Sequence, residues 1–383
     1  MREAIVISLD QPLQERLLGR DVSDVLAAAD RLQLHGQRAL VTGAAGSVGS
    51  ELCRQLASCG VSRLTLMDHS EYALFRIEAE VRRQYPSIAL VPVLGDVTRR
   101  ADLRAAMVAA EPHVVYHAAA YKHVTFAETA IVQALRVNAL GAAETARAAR
   151  DTGARFVLIS SDKAAEPRSV MGATKRFAEL IVLGKATATF RPVVVRFGNI
   201  LGSSGSVAEI LLERAAAGLQ LPITDPDATR YFMTASEAVS LVLKADLIGR
   251  RPEIFWLDMG EPIRIGDLAA RIAEHTAQCG HTPKGIEVIG LRPGEKLHEE
   301  LTTQGLAMRR TAHPRIFSAR QKPVTSAAVR TAIREAQRAC ASGDVSAALD
   351  TLTHLVADFR PSETARSQAA AHLSTQVEQV SAA

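Results

Sequence analysis

The stretch VTGAAGSVGSEL at residues 41–52 decides how the rest of the chain is read. It passes from the apolar run RALV at 38–41, through Gly43, Gly46 and Gly49, into SELCRQLASC, whose apolar residues fall at helical spacing. Glycines at such a turn let the backbone bend tightly and lie close to a bound pyrophosphate. The free N–H groups at the helix N-terminus then meet its charge. An ordinary strand–helix turn carries the same glycines, so the neighbouring sequence has to decide.

Working outward, short β-branched runs recur: RALVTG, SRLTLMD, LVPVLGD, HVVYHAA, RFVLISS and RPVVVRFG, separated by helical stretches such as NALGAAETARAARDTG. Strands alternating with helices predict an α/β fold, a Rossmann-type doubly wound parallel sheet with its ligand crevice at the carboxyl ends of the strands. Asp68 ends the second run, at roughly the 20-residue separation from the glycines that suits a carboxylate on the adenosine ribose. A carboxylate there repels a 2′-phosphate, so the expected cofactor is NAD. The expected cofactor contacts are Gly43, Ala45, Gly46, Ser47, Val48, Gly49 and Asp68, with Asp96 and Val97 of GDV near the adenine. Asp96 serves equally well as a helix cap. Ala118, Ala119 and Ala120, small residues of HAAAYKH, are expected to pack against the cofactor.

The 383 residues allow one large or two unequal domains. Residues 1–36 read as an extension, an extended segment and a helix outside the main fold, and 37–200 as the cofactor-binding domain. From 201 to 323 the alternation gives way to single helices, the strand-like EIFWLDMG and loops such as GLRPGEK, predicting mainly a smaller substrate-binding lobe. A helical segment is expected over 324–360 and a poorly ordered tail over 361–383. A formal charge of +4, from 45 basic and 41 acidic residues with no long basic run, argues against a nucleic-acid partner. Cys53, Cys59, Cys279 and Cys340 lack metal-ligand spacing, so reduced thiols and no metal site are expected. No apolar stretch approaches the ~18 residues of a membrane span, and no signal segment opens the chain; a cytoplasmic protein is expected.

The strand RFVLISS runs into Asp162 and Lys163, and the following helix carries Met171 and Lys175. Sheet geometry puts Ser161, Asp162 and Lys163 at the crevice mouth, with Met171 and Lys175 alongside. An adjacent acid and base suit proton transfer. The same pair elsewhere in a protein would be a solvated cap.

Eight stretches, TGAAGSVGSELCRQL, HAAAYKHV, SSDKAAEP, MGATKRFAE, RFGNILGSSGSV, TRYFMT, LDMGEPIRI and GLRPGEKLHEEL, cover about residues 38–310. Together they resemble the extended short-chain dehydrogenase/reductases that act on nucleotide sugars. More narrowly they resemble the UDP-N-acetylglucosamine 4,6-dehydratases of bacterial polysaccharide and glycoprotein biosynthesis. Many of those relatives carry a membrane region ahead of the catalytic domain. The resemblance implies a homo-oligomeric lyase that uses NAD to oxidise C4 of a UDP-sugar, eliminates water across C5 and C6 and returns the hydride to C6.

In the wider superfamily a Tyr stands four residues before the Lys, where this chain has Met171, whose thioether transfers no proton. The Met form is associated with dehydratases that retain the C5 configuration. By the same resemblance Asp162 is the acid toward the C6 oxygen and Lys163 the base at C5, its amine expected to be lowered by burial beside Lys175 or the nicotinamide. Ser161 and a water linked to Lys175 take the place of the Tyr oxygen, Lys175 bonds the nicotinamide ribose, Met171 packs under the sugar, and Asn138 braces the active-site helix.

Expected substrate contacts are Lys122, Asn199, Ser204, Gly205, Ser206, Val207, Arg230, Arg292 and Glu295. Arg suits phosphate oxygens and a carboxylate suits a ribose diol. The chain departs from the family pattern at Thr125 and Phe126, where Pro and Leu are usual, and at Ala165 and Glu166, where Val and Asn precede the Pro. Two other readings are an epimerase, against which the added acid–base pair weighs, and a non-catalytic NAD-binding regulator, against which retention of Asp162, Lys163 and Lys175 weighs.

Overall fold

The apolar runs form the parallel strands β1 (Arg38–Thr42), β2 (Arg63–Asp68), β3 (Ala89–Leu94), β4 (Val114–His117), β5 (Arg155–Ile159) and β6 (Val193–Arg196). Every residue of β4 and β6 is buried, as strands covered on both faces must be. The short strands β7 (Asn199–Ile200), β8 (Leu221–Ile223), β9 (Thr229–Arg230) and β10 (Phe232–Met233) follow. Then come β11 (Glu253–Leu257), β12 (Ile263–Arg264), β13 (Ile286–Val288), β14 (Arg309–Arg310) and β15 (Ile316–Ala319). This computed structural model describes residues 9–301, 307–321 and 324–381, with side chains to 372.

Nine strands make one sheet in the order β14-β15-β11-β6-β5-β4-β1-β2-β3. It is the expected Rossmann-type α/β sheet: β11 extends the parallel set beside β6, and β15 alone runs against the other strands, pairing antiparallel with β11 on one side and with β14 on the other. The strand order reverses between β1 and β4, which locates the crevice.

Helices α1 (Gln11–Leu18), α2 (Ala28–Leu34), α3 (Ser47–Ser58), α4 (Glu71–Gln84) and α5 (Arg100–Ala110) lead to α6 (Val124–Thr129) and α7 (Ile131–Ala134). A π-helical stretch, Leu135–Gly141, joins α7 to α8 (Ala142–Asp151), and α9 (Val170–Gly184) follows β5. Beyond β6 lie α10 (Val207–Ala216), α11 (Ala235–Ile248), α12 (Ile265–Gln278), α13 (Ser326–Ser342), α14 (Val345–Leu355) and α15 (Glu363–Ser381). Leu52, Leu56 and Val239 pack on one face of the sheet; Leu103, Ala146 and Phe190 pack on the other. The lobe has its own core of Leu211, Leu268 and Ile272. No helix among the described residues is long and apolar enough to cross a membrane.

Two segments differ from expectation. The extension is not outside the fold: Leu13 and Leu17 of α1 enter the lobe core, and Leu34 of α2 enters the core under the sheet. Residues 1–8 of it lie outside the described residues. The tail expected to lack order carries α15, whose Ala365 and Ala369, one turn apart, are buried in a cluster with Leu352, Phe359, Phe177 and Ile181. A stripe of alanines is a weak apolar signal in sequence yet allows close helix packing. Residues 382–383 are not among those described. The range 201–323 feeds both parts, since β11 and β15 complete the main sheet; within it, 302–306 and 322–323 are not described.

Candidate active site

After β1 the chain turns at Gly43 with φ +67°, where an added Cβ would lie 2.5 Å from Ala119 N. At Gly49 a Cβ would lie 1.9 Å from Gly43 O, so α3 rests backbone to backbone on the turn. At Gly46 a Cβ would meet only Gly43 O, at an ordinary 3.4 Å. Gly46 is the N-cap of α3 and no side chain caps the helix, which leaves the N–H groups around Ser47 and Val48 to an anion. Asp68 accepts from Ala45 N at 2.9 Å and Ser70 N at 3.0 Å, and so fixes the glycine loop to the end of β2. With Gly43, Asp96, Val97 and Ala118 to Ala120 it lines a cavity of about 280 Å³. Asp96 Oδ1 also accepts from Thr98 N at 2.8 Å, holding the turn before α5. A cradle that only glycines leave open, an uncapped helix and a carboxylate at the second strand end fit a dinucleotide.

At the end of β5, Ser161 opens a single 3₁₀ turn, Asp162–Ala164. Asp162 Oδ1 accepts from Ser161 Oγ (2.8 Å), Lys163 N (2.8 Å) and Lys163 Nζ (3.1 Å). Its Oδ2 is buried without a hydrogen-bond partner. A Cβ on Gly198 would come within 3.1 Å of that oxygen. The first turn of α9 reaches this turn because Gly172 has no side chain: a Cβ there would lie 2.3 Å from Lys163 O. Ser169 caps the helix, accepting from Gly172 N at 3.1 Å. Met171, 4% exposed, belongs to the apolar cluster of α6, α7 and the C-terminal helices. Asn138 accepts from Tyr121 N (2.7 Å) and donates to Tyr121 O and Thr174 Oγ1 (3.0 Å each), bracing α9 as expected.

Lys163 reverses the expectation for its protonation. Burial lowers the Lys163 amine, but Asp162 and Glu299, the latter 3.5 Å away, outweigh it and hold the amine above its ordinary range. Lys175 is the depressed one. Burial pushes it down to about 8 against the pull of Glu179, and its Nζ donates to Ile159 O at 2.6 Å. His117, accepting or donating at Thr42 Oγ1 over 2.8 Å, is pushed down to about 3 by burial and by Lys175 and is therefore neutral.

On the substrate side, Asn199 Oδ1 accepts from Lys163 Nζ at 3.0 Å. Ser204 N donates to Ser47 Oγ at 3.2 Å, which ties the loop 202–207 to the start of α3. Gly205 lies against His123, where a Cβ would come within 2.7 Å, and Ser206 caps α10 ahead of Val207. Lys122 is exposed beside them, its amine lowered by partial burial against the pull of Glu209. Arg230 is turned inward, donating to Thr229 O (2.8 Å), Leu297 O (3.1 Å) and Lys296 O (2.8 Å). It staples the 296–299 segment to β9 instead of presenting its fork to a phosphate. Arg292 and Glu295 bond each other at 2.7 Å, and the Arg292 side chain is half exposed.

Glu299 and Glu179 are site residues that the sequence reading passed over. Glu299 faces both Lys163 and Arg230, and its place in LHEEL was the only signal. Glu179 accepts from Ser160 Oγ (2.6 Å), Arg196 Nε (2.6 Å) and Arg176 Nη1 (3.0 Å). Burial would raise its carboxyl, yet Arg196 and Arg176 hold it below the usual range. Arg196 in turn donates to Ala164 O at 3.2 Å and lies 5.1 Å from the Trp256 ring centre. The described residues contain no cluster of His, Cys, Asp or Glu suited to a metal.

Residues 39–321 match the model of a family described as polysaccharide biosynthesis protein. The capsular polysaccharide biosynthesis protein CapD of Staphylococcus aureus is 42% identical over 75% of this chain and 48% of its own, so the chain spans about half the length of that relative. A UDP-glucose 4-epimerase of Rickettsia canadensis is 30% identical over 69% of this chain and 77% of its own. Among solved structures, Pen from Bacillus thuringiensis superposes with a TM-score of 0.69 at 26% identity, covering 79% of this chain and 98% of that one.

Proposed function

The chain belongs to the polysaccharide biosynthesis protein family, a class of nucleotide-sugar dehydratase- and epimerase-like enzymes, and on that premise we propose that it is an NAD-dependent UDP-sugar 4,6-dehydratase. Its substrate on this reading is UDP-N-acetylglucosamine and its product the 4-keto-6-deoxy sugar with C5 retained. The observation that carries the reading is the Ser161–Asp162–Lys163 turn, a hydrogen-bonded acid–base pair with one carboxylate oxygen still unpartnered.

Bound NAD supplies the acceptor of the C4 hydride and its donor to C6. The glycine loop, Asp68 and the N-terminus of α3 would hold it, with Lys175 at the nicotinamide ribose. Ser161 Oγ receives the C4 hydroxyl proton and passes its own across 2.8 Å to Asp162. Asp162 gives that proton to the departing C6 oxygen, which leaves as water. Lys163 takes the C5 proton and returns it to the same face after C6 is reduced, which yields retention. The raised amine must lose its proton first, and substrate hydroxyls that displace Asn199 and Glu299 from Nζ would favour that loss.

The test is mass spectrometry of UDP-N-acetylglucosamine incubated with purified protein. Loss of one water is expected in wild type, with the rate reduced by roughly 10² or more in Asp162→Asn and in Lys163→Met. The Rickettsia match keeps a second reading, epimerisation, in view. Unchanged mass with an altered sugar configuration would replace the first reading by the second.

A further inference from the structure

Glu128, in α6, is 1% exposed and plays no part in the chemistry above. Its Oε1 accepts from Val170 N at 2.7 Å, and its Oε2 accepts from Ser362 Oγ. Val170 begins α9 and precedes Met171. Ser362 stands just before α15, and its Oγ also accepts from Ala365 N at 3.1 Å. A third element closes over the same carboxylate: at Gly294, φ +78°, an added Cβ would lie 2.8 Å from Glu128 Oε1 and 2.9 Å from Ser169 Cβ. Gly294 belongs to the loop that carries Arg292 and Glu295. Nearby, Arg360 N donates to Pro167 O at 3.3 Å, a second tie between the C-terminal helices and the segment leading into α9.

Burying a carboxylate is costly unless its oxygens are bonded, and a residue needed only to pack α6 would be apolar. Here both oxygens are committed to main chain or side chain of other elements. Its Oε1 also meets the N-terminus of α9, where the helix's free N–H groups call for an acceptor. One oxygen holds the first turn of α9 and lies under the substrate loop.

We infer that Glu128 is a positioning residue that couples the 290–295 loop to the first turn of α9, with the C-terminal helices as the fixed support. The inference rests on the proposed function only in taking 290–295 as a nucleotide-contacting loop. When the loop settles on a ligand, Gly294 presses on the oxygen that holds Val170, so Met171 and Lys175 take their places as the substrate arrives.

The experiment is hydrogen–deuterium exchange on the full chain, with and without UDP, following peptides over 290–297 and 165–176. In wild type UDP is expected to slow exchange in both. In Glu128→Ala it should slow exchange in 290–297 alone, while kcat falls roughly 10-fold or more at nearly unchanged KM, as misplaced catalytic groups produce. Glu128→Gln keeps an acceptor for Val170 N and offers a donor to Ser362, and is expected to restore both readouts. Gly294→Ala, which leaves Glu128 in place but crowds it, should loosen the coupling even if Glu128→Ala does not fold. Undiminished protection of 165–176 in both Glu128→Ala and Gly294→Ala, or in Gly294→Ala alone where the other is unfolded, overturns the inference. Failure of UDP to protect 290–297 in wild type overturns it together with the nucleotide-sugar reading. Coupled protection without dehydration removes only the dehydratase assignment.

Discussion

Lys163 and Lys175 share a crevice under opposite electrostatics, and the difference has a measurable consequence. Lys175 is held down to about 8 by burial, below its ordinary 10.5. The unfolded chain therefore binds this proton more tightly than the folded one between pH 8 and 10.5. The resulting cost to stability is fully present below pH 8 and relieved as the pH rises through that window. Function has the reverse sign if the ammonium holds the nicotinamide ribose: kcat/KM should fall as pH rises through about 8, and Lys175→Arg, which stays charged, should remove that limb from the pH–rate profile. A profile flat to pH 10 in wild type would contradict this role. The place of Lys175 was readable from MGATK, but its environment was not, because the opposing Glu179 sits on the next turn with no sequence mark of burial. Lys163 shows the same limit. Its amine is raised by the adjacent Asp162 first and by Glu299 second, and the Glu299 contact brings together residues distant in sequence.

Between elements, the contact of α3 with the glycine turn separates two kinds of glycine requirement. Gly49→Ala drives a Cβ to 1.9 Å from Gly43 O and should lower the Tm sharply, whether or not a cofactor is added. Gly46→Ala meets only a 3.4 Å contact and should leave the Tm of the ligand-free protein within a few degrees while weakening NAD binding at the α3 N-terminus. Thermal melts with and without NAD distinguish the two, and equal destabilisation would contradict the distinction. The long elements were legible because their periodicity is strong: all six parallel strands up to β6 coincide with quoted apolar runs. Strands of two residues such as β7, β9, β10 and β12 carry no period, so the lobe could be recognised only as irregular. The surroundings of Arg230 were illegible for the same reason. Its partners are backbone carbonyls of Lys296 and Leu297, and main-chain acceptors leave no trace in side-chain identity.

Across the whole molecule, α13, α14 and α15 cover the apolar side of α7 and α9, burying Leu349, Leu352, Val356 and Phe359 with Ile131, Phe177 and Ile181. Leu352→Ala should cost about 2–5 kcal/mol, read as a shift of the denaturation midpoint. Removal of residues 324–383 should do more, leaving the α7–α9 face bare and the protein aggregated or unfolded; a monomeric truncated chain with wild-type Tm would show that the helices are an independent appendage. Sequence periodicity revealed helices here but not what they cover, since α15 presents alanines to the interface and reads as low in apolar content.

The hydrogen bond from Ser204 N to Ser47 Oγ joins the loop expected to receive the sugar nucleotide to the helix end expected to receive the pyrophosphate. In a reaction that borrows a hydride and gives it back, the dinucleotide has no reason to trade places with the surrounding pool at each turnover. On the proposed reading, a clasp between the two loops would make it a resident part of the catalyst: sugar nucleotides would come and go, the coenzyme would stay aboard, and its exchange with free coenzyme would be governed by the opening of that clasp.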